Sequence, residues 1–87
     1  MKNLERALKA LANKRRLEIL RAIKKERNGE LSVGEVAERI GLSFKATSRH
    51  LSILTGADIL TKEQRGLQVF YQIISGGRLV KDVLSVL

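Results

Sequence analysis

Two hydrophobic periods divide the chain. Up to residue 56 the apolar positions recur at helical spacing, and from residue 59 they alternate in twos. Leu4, Ala7, Leu8, Leu11 and Ala12 form a first stripe with Glu5, Arg6 and Lys9 between them, which predicts a short amphipathic helix. Asn13 can cap the next helix by accepting a backbone N–H. Leu17, Leu20 and Ile23 line one face of that helix, with Ile19 and Ala22 beside them, and Asn28-Gly29 is a stop and turn signal. Ser32, with Glu35 three residues on, has capping-box spacing at the start of a third helix. Val33, Val36, Ala37 and Ile40 then share a face, and Gly41 suits a left-handed C-terminal cap. Only Leu42 separates that cap from Ser43, which can open a fourth helix carrying Ala46, Thr47, Leu51 and Leu54 inward and ending near Gly56.

Beyond that point Ile59–Gln64 and Leu67–Ile73 read as two strands, with Arg65-Gly66 supplying the turn. Gly76-Gly77 breaks the chain again. The last stretch carries Leu79, Val80, Val83, Leu84, Val86 and Leu87, apolar on too many sides for a free surface helix. There is no proline, no repeat and no low-complexity tract, so residues 1–87 are expected to form one domain.

Two short helices joined by a tight, glycine-containing turn are the signature of a helix-turn-helix, here about 32–56 with Gly41-Leu42-Ser43 as the turn. The hairpin at about 59–74 makes a two-stranded wing, and about 77–87 a terminal helix with an apolar face. The expected fold is therefore α+β, mainly α: a winged helix-turn-helix with four core helices, a two-stranded wing and terminal helices available for dimerisation.

Charge sharpens the reading. The formal net charge is +8, which favours a polyanionic partner, although a surface merely rich in Lys, Arg and Glu would need none. The first 27 residues are strongly basic, residues 28–42 are slightly acidic, and the remainder is basic again. A single core in a chain this short leaves stability marginal, since about 60–65% of the unfolded surface is buried. With no cysteine and one histidine, disulfides, thiolate metal sites and His-rich metal sites are excluded, and self-association is the expected supplement. Neither a signal peptide nor a membrane span is legible, and the lack of cysteine fits a reducing cytoplasm. No cofactor is implied. No Ser/His/acid arrangement or Gly-rich phosphate loop occurs, so no enzyme is expected.

With Thr47, Leu51 and Leu54 turned inward, the fourth helix leaves Phe44, Lys45, Ser48, Arg49 and Ser52 outside. Arg49 can donate two hydrogen bonds to guanine, Lys45 can contact a base or a phosphate, and Ser48 suits either. Phe44 could touch a thymine methyl or fix how the chain enters the helix. A solvated charged face is the plainer alternative for Lys45 and Arg49. The wing offers Lys62, Gln64, Arg65 and Gln68, with phosphate or minor-groove contact expected of Arg65. His50 is either a DNA contact at the helix edge or a partly buried imidazole bonded across the helix pair. Glu35 and Glu38 share a solvated helix face.

Three stretches resemble the ArsR/SmtB winged-helix repressors. Residues 8–20, Leu8 to Leu20, resemble that family's opening "LKALADPTRLRIL", and residues 42–54 resemble its recognition helix "LSQSAVSRHLKVL". Ala57-Asp58-Ile59-Leu60 and Arg65-Gly66 through Tyr71 are similar to its wing, "AGLV…RxGRxVYY". The resemblance implies a homodimer built from the first and last helices that binds double-stranded operator DNA and represses transcription. It places Phe44, Lys45, Ser48 and Arg49 at base-reading positions and Arg16 near the DNA backbone. The family's thiolate metal site, "ELCVCDL", is not matched, because Ser32 and Gly34 stand where its cysteines would be. The last helix has Asp82 but no histidine, and Asp58 replaces the usual glycine before the wing; Asp tolerates left-handed backbone better than most residues.

The expected function is a sequence-specific double-stranded DNA-binding transcriptional regulator, a repressor acting as a cytoplasmic homodimer without a thiolate metal-sensing site and without a known effector. The rival readings are a winged-helix protein-interaction module and an architectural DNA binder of low sequence specificity.

Overall fold

A computed structural model describes residues 2–74 and 77–87. After α1 (Lys2–Leu11), local caps start each of the next three helices. Asn13 Oδ1 accepts from the Arg16 N–H at 3.1 Å and opens α2 (Lys14–Lys24). A strand, β1 (Glu30–Ser32), follows the turn at Gly29 and leads without a break into α3 (Val33–Ile40). Ser32 and Glu35 close the capping box in both directions: the Glu35 N–H donates to Ser32 Oγ at 3.2 Å, and the Ser32 N–H donates to Glu35 Oε1 at 2.8 Å. Ser43 Oγ accepts from the Ala46 N–H at 3.1 Å and opens α4 (Phe44–Gly56).

Two left-handed residues end the helices that matter most. Gly41 has φ 69°, and the following Leu42 N–H reaches back to Ala37 O. This reverses the chain within the few residues between α3 and α4. Asp58, with φ 60°, does the same after α4. Its N–H donates to Thr55 O and the Ile59 N–H donates to Leu54 O, each at 3.0 Å, the bond pattern of a Schellman motif. Asp thus holds the backbone conformation that a glycine would take more easily, and it aims the chain into the wing.

The wing is the hairpin of β2 (Leu60–Arg65) and β3 (Gln68–Ile73). The sheet has three strands rather than two, in the order β1-β3-β2 and antiparallel throughout. Glu30 pairs with Gln72, Leu31 with Tyr71 and Ser32 with Phe70. A three-residue strand with one apolar residue carries no alternation long enough to see, and its partner lies some forty residues downstream. The turn is also displaced by one residue from its expected place. Arg65 pairs with Gln68, so Gly66-Leu67 form the loop. Gly66 has φ 63° and Leu67 is not in the left-handed region, as a type II′ hairpin requires with glycine first. A last helix, α5 (Arg78–Ser85), packs beside α2. Gly76 falls outside the described residues.

The core gathers Ile19, Leu20 and Ile23 of α2, Leu31 of β1, Val36 of α3, Leu51 and Leu54 of α4, and Ile59, Leu60 and Tyr71 of the wing base. Fully burying each aliphatic side chain contributes about 1.5–3 kcal/mol. Ile19 is a full core member, while Leu17, expected on the main face, is only partly buried. On α1 the expected stripe is mostly uncovered: Leu11 is buried, together with Ala10 from outside the stripe, but Ala12 is exposed and Leu4 and Leu8 are 45% and 48% exposed. Only the C-terminal end of α1 is sunk into the core, so the rest of the stripe has no cover within one chain.

One polar cluster fastens the end of α1 to α4. Arg16 donates from Nε to Ala10 O at 2.6 Å and from Nη2 to Lys9 O at 3.2 Å, neutralising carbonyls at the end of α1. Its Nη1 lies 3.2 Å from His50 Nδ1. A guanidinium only donates, so Nδ1 is the acceptor and the imidazole is neutral, with its proton on Nε2. Burial holds the His50 pKa below its ordinary value, and the charges of Arg16, Arg15 and Arg49 push it the same way. The neutral form is therefore favoured in the folded state. The stability this gives is complete above the ordinary imidazole value of about 6.5 and is lost as pH falls through the lowered folded value. Urea unfolding between pH 7.5 and 5 should show this loss, and His50→Gln should flatten that part of the profile. An unchanged profile in the variant would show that His50 does not supply it.

Thr47 is fully buried on α4, and its hydroxyl finds no hydrogen-bond partner among the described residues. Removing an unsatisfied hydroxyl in a near-isosteric exchange is neutral or favourable. Thr47→Val should leave the unfolding free energy unchanged or raise it by up to about 1 kcal/mol. A loss beyond that size in chemical denaturation would mean the hydroxyl is satisfied.

Candidate nucleic-acid interface

Helix α4 buries Thr47, Leu51 and Leu54. At 100° per residue this turns the opposite stripe outward. Lys45, Arg49 and Ser52 are exposed, Ser48 is half-exposed beside them, and Phe44 at the start of the helix is 63% exposed. The five residues expected at the interface are thus brought together on one surface. Among the described residues none of Lys45, Ser48, Arg49 or Ser52 makes a side-chain hydrogen bond or ion pair with its neighbours. The donors of Lys45, Arg49 and Ser52 are on exposed side chains, where a base edge or phosphate could take them.

This surface is an open groove running from Arg16 of α2 along α4 to Ile53. The first turn of α4 contains no acidic residue, so the positive end of the helix dipole adds to Lys45 and Arg49. Helix α3 is built the opposite way, with Glu35 in its first turn. Ile53, 40% exposed on the same surface, was not among the expected residues. The signal was present, since Ile53 lies four residues beyond Arg49 and eight beyond Lys45, on one helical stripe.

Arg16, expected near a DNA backbone, lines the groove, and its guanidinium also fastens the helices beside it through Lys9 O, Ala10 O and His50. His50 takes the second of its two expected roles, a partly buried imidazole bonded across helices.

The wing residues divide by strand alternation. The register puts Lys62 and Gln64 on the same sheet face as Leu60, which is buried against the helices. Arg65 and Glu63 lie on the other face, with Phe70, Gln72 and Glu30. There Arg65 is held from several directions. It donates through Nη1 and Nη2 to the two carboxylate oxygens of Glu30, the latter at 2.8 Å, and through Nε to Glu63 at 2.9 Å. Its guanidinium carbon sits 4.8 Å from the Phe70 ring centre. Gln72 Nε2 donates to Glu30 at 2.8 Å. Hydrogen bonds from Arg65 first, and then from Gln72, hold the Glu30 carboxyl below the usual carboxylate range, while Arg65 is pushed up by Glu30 and Glu63. Lys62 remains exposed, and Gln64 bonds to Gly66 O at 3.3 Å. Glu30 was not singled out from sequence, because its partners lie on strands more than thirty residues away.

Among the described residues, no helix is long and apolar enough to cross a membrane. The sequence profile of bacterial regulatory proteins of the arsR family matches residues 13–62. The transcriptional activator HlyU of Vibrio cholerae is 41% identical over 68 residues, 78% of this chain and 60% of that protein. The chain therefore spans less than two thirds of that relative's length. The solved structure of reduced HlyU superposes with a TM-score of 0.80 at 34% identity, covering 98% of this chain and 84% of that one. The homodimeric winged helix-turn-helix DNA-binding domain of a possible ArsR-family regulator from Mycobacterium bovis superposes with a TM-score of 0.80 at 28% identity, covering 98% and 74%. The profile match falls on α2 through the first half of β2, where the groove and its supports lie, and the chain belongs to the arsR family of bacterial regulatory proteins.

Proposed function

We propose that this chain is a sequence-specific, double-stranded DNA-binding transcriptional regulator that works as a cytoplasmic homodimer and represses by occupying its operator. The observation that carries the reading is the unpaired outer stripe of α4. Phe44, Lys45, Ser48, Arg49 and Ser52 stand on a helix of major-groove width, backed by a rigid core. Arg49 reads a guanine, Lys45 and Ser48 contact a base edge or phosphate, Phe44 meets a thymine methyl, and Lys62 and Gln64 of the wing reach the flanking backbone. Regulation by occupancy needs no chemistry on the DNA, so no catalytic step is assigned.

The dimer rests on the uncovered apolar surfaces of the two ends of the chain. Leu4 and Leu8 of α1 are about half exposed, and Val86 just after α5 is 82% exposed. A groove lined by Leu4, Ala7, Ile74, Leu79 and Val80 lies between these elements. The Mycobacterium bovis domain with the same architecture is homodimeric, which supports a second copy as the cover. Two recognition helices then address half-sites about 10 base pairs apart or a multiple of that.

Selection of tight binders from a random duplex pool tests the reading directly, and a pseudo-palindrome is the expected product. Arg49→Ala should cost on the order of 1–3 kcal/mol in binding and relax preference at one base position, as read by competition titration. Lys45→Ala, if it removes a phosphate contact, should weaken all duplexes alike and lower the salt slope by about one per protomer. Specific binding left intact in Arg49→Ala would remove α4 as the reading element. Light scattering should give the mass of a dimer, and Leu8→Glu should shift it toward the monomer with loss of DNA affinity. A stable wild-type monomer without affinity for duplex DNA would instead indicate a protein-docking module. Equal affinity for random and selected duplexes would indicate an architectural binder.

A further inference from the structure

Arg65 was expected to meet DNA, yet it lies on the sheet face away from Lys62 and Gln64, and two carboxylates already hold it. Glu30, the stronger of its partners by geometry, is 9% exposed. A buried carboxylate stripped of its cation is costly. The pair is a fork on a fork: two guanidinium nitrogens meet two carboxylate oxygens, and Gln72 donates to one of those oxygens as well. Phe70 lies against the guanidinium and fixes its plane.

The location of Glu30 gives this cluster its meaning. Glu30 begins β1, and β1 ends at Ser32, the N-cap of α3. From α3 the chain turns at Gly41 directly into α4. Arg65 sits at the far end of β2, where the hairpin turns. A bond between Arg65 and Glu30 thus ties the tip of the wing to the strand that leads into the helix-turn-helix segment. Backbone pairing alone joins β1 to β3 over three residues, a short hinge for a hairpin whose strands run six residues each.

We propose that Arg65 and Glu30 form a positioning clamp that sets the angle of the wing relative to the recognition helix, and that Arg65 is not a phosphate ligand. The inference rests on the DNA-binding reading above, but part of its test is independent of DNA. In the clamp the fork geometry of arginine matters as well as its charge. Lys62 and Gln64, on the opposite sheet face, are then left to make the wing's contacts, at a place the clamp dictates.

The test uses the full chain as wild type, Arg65→Lys, Arg65→Gln and Glu30→Gln, with a duplex selected by the wild type. A clamp requires both Arg65 variants to weaken binding similarly, by about tenfold, because a lysine cannot reproduce the bidentate contact. Glu30→Gln should also weaken binding, and the salt slope should stay at the wild-type value in all three. The preference for the selected flanking sequence over a scrambled flank should fall, while preference within the part addressed by α4 is retained. A general loss of stability would lower both alike. Without DNA, amide hydrogen exchange across residues 60–73 should accelerate in all three variants. A phosphate ligand behaves oppositely: Arg65→Lys would bind nearly as the wild type, Arg65→Gln would lower the salt slope by about one per protomer, and Glu30→Gln would bind more tightly by freeing the cation. Any of those results overturns the clamp, as does unchanged hydrogen exchange in the wing. If the wild type selects no duplex, the DNA-binding reading fails, and the exchange data still decide whether the clamp holds the wing.

Discussion

Burial of one stripe of α4 is the constraint on which the rest of the structure depends. Leu51, Leu54 and Thr47 are fully enclosed by the helices and by the base of the wing. Helical geometry then leaves no choice about the opposite stripe, and it is the stripe that holds Lys45, Arg49 and Ser52. A surface made this way is stiff, because its side chains share a backbone with core residues that cannot shift without opening a cavity. The supports around it serve the same end. Ser43 sets the start of α4, Gly41 sets its angle to α3, and the Asp58 motif sets the direction in which the chain leaves it.

The distribution of charge has the same logic. The protein is strongly basic, but its cations are not equivalent. Arg16 is spent on helix-end carbonyls, Arg39 on Glu26, and Arg65 on Glu30 and Glu63. Arg49 and Lys45 have no such internal partner among the described residues. Formal charge therefore includes cations that already have partners within the fold. A counterion-release picture that counted every Lys and Arg would include cations that neighbouring carboxylates already engage.

Incompleteness at the two ends of the chain is the other physical theme. Only the C-terminal end of α1 is deeply buried, and α5 contributes only partly buried residues. In a chain of 87 residues that apolar surface matters, since small cores are marginal and an uncovered stripe forgoes burial energy. The exposed stripe of α4 and the uncovered apolar residues of α1 and the chain's last turn lie on different elements.

Features governed by neighbours within a few residues were legible in the sequence alone. The caps at Asn13, Ser32 and Ser43, the left-handed turns at Gly41 and Asp58, and the inward and outward stripes of α4 each depend on contacts inside one or two helical turns. Local chemistry decides such features before the chain is compact. The tertiary structure alone decided the third strand, the fastening of Arg16 to His50, and the capture of Arg65 by Glu30. Those partners are separated by 34 to 42 residues along the chain. A side chain's free energy in such a pair depends on which strand or helix folds over it, and no local pattern encodes that. Strand alternation could have separated Arg65 from Lys62 and Gln64, but only packing shows which sheet face meets the helices and which meets Glu30.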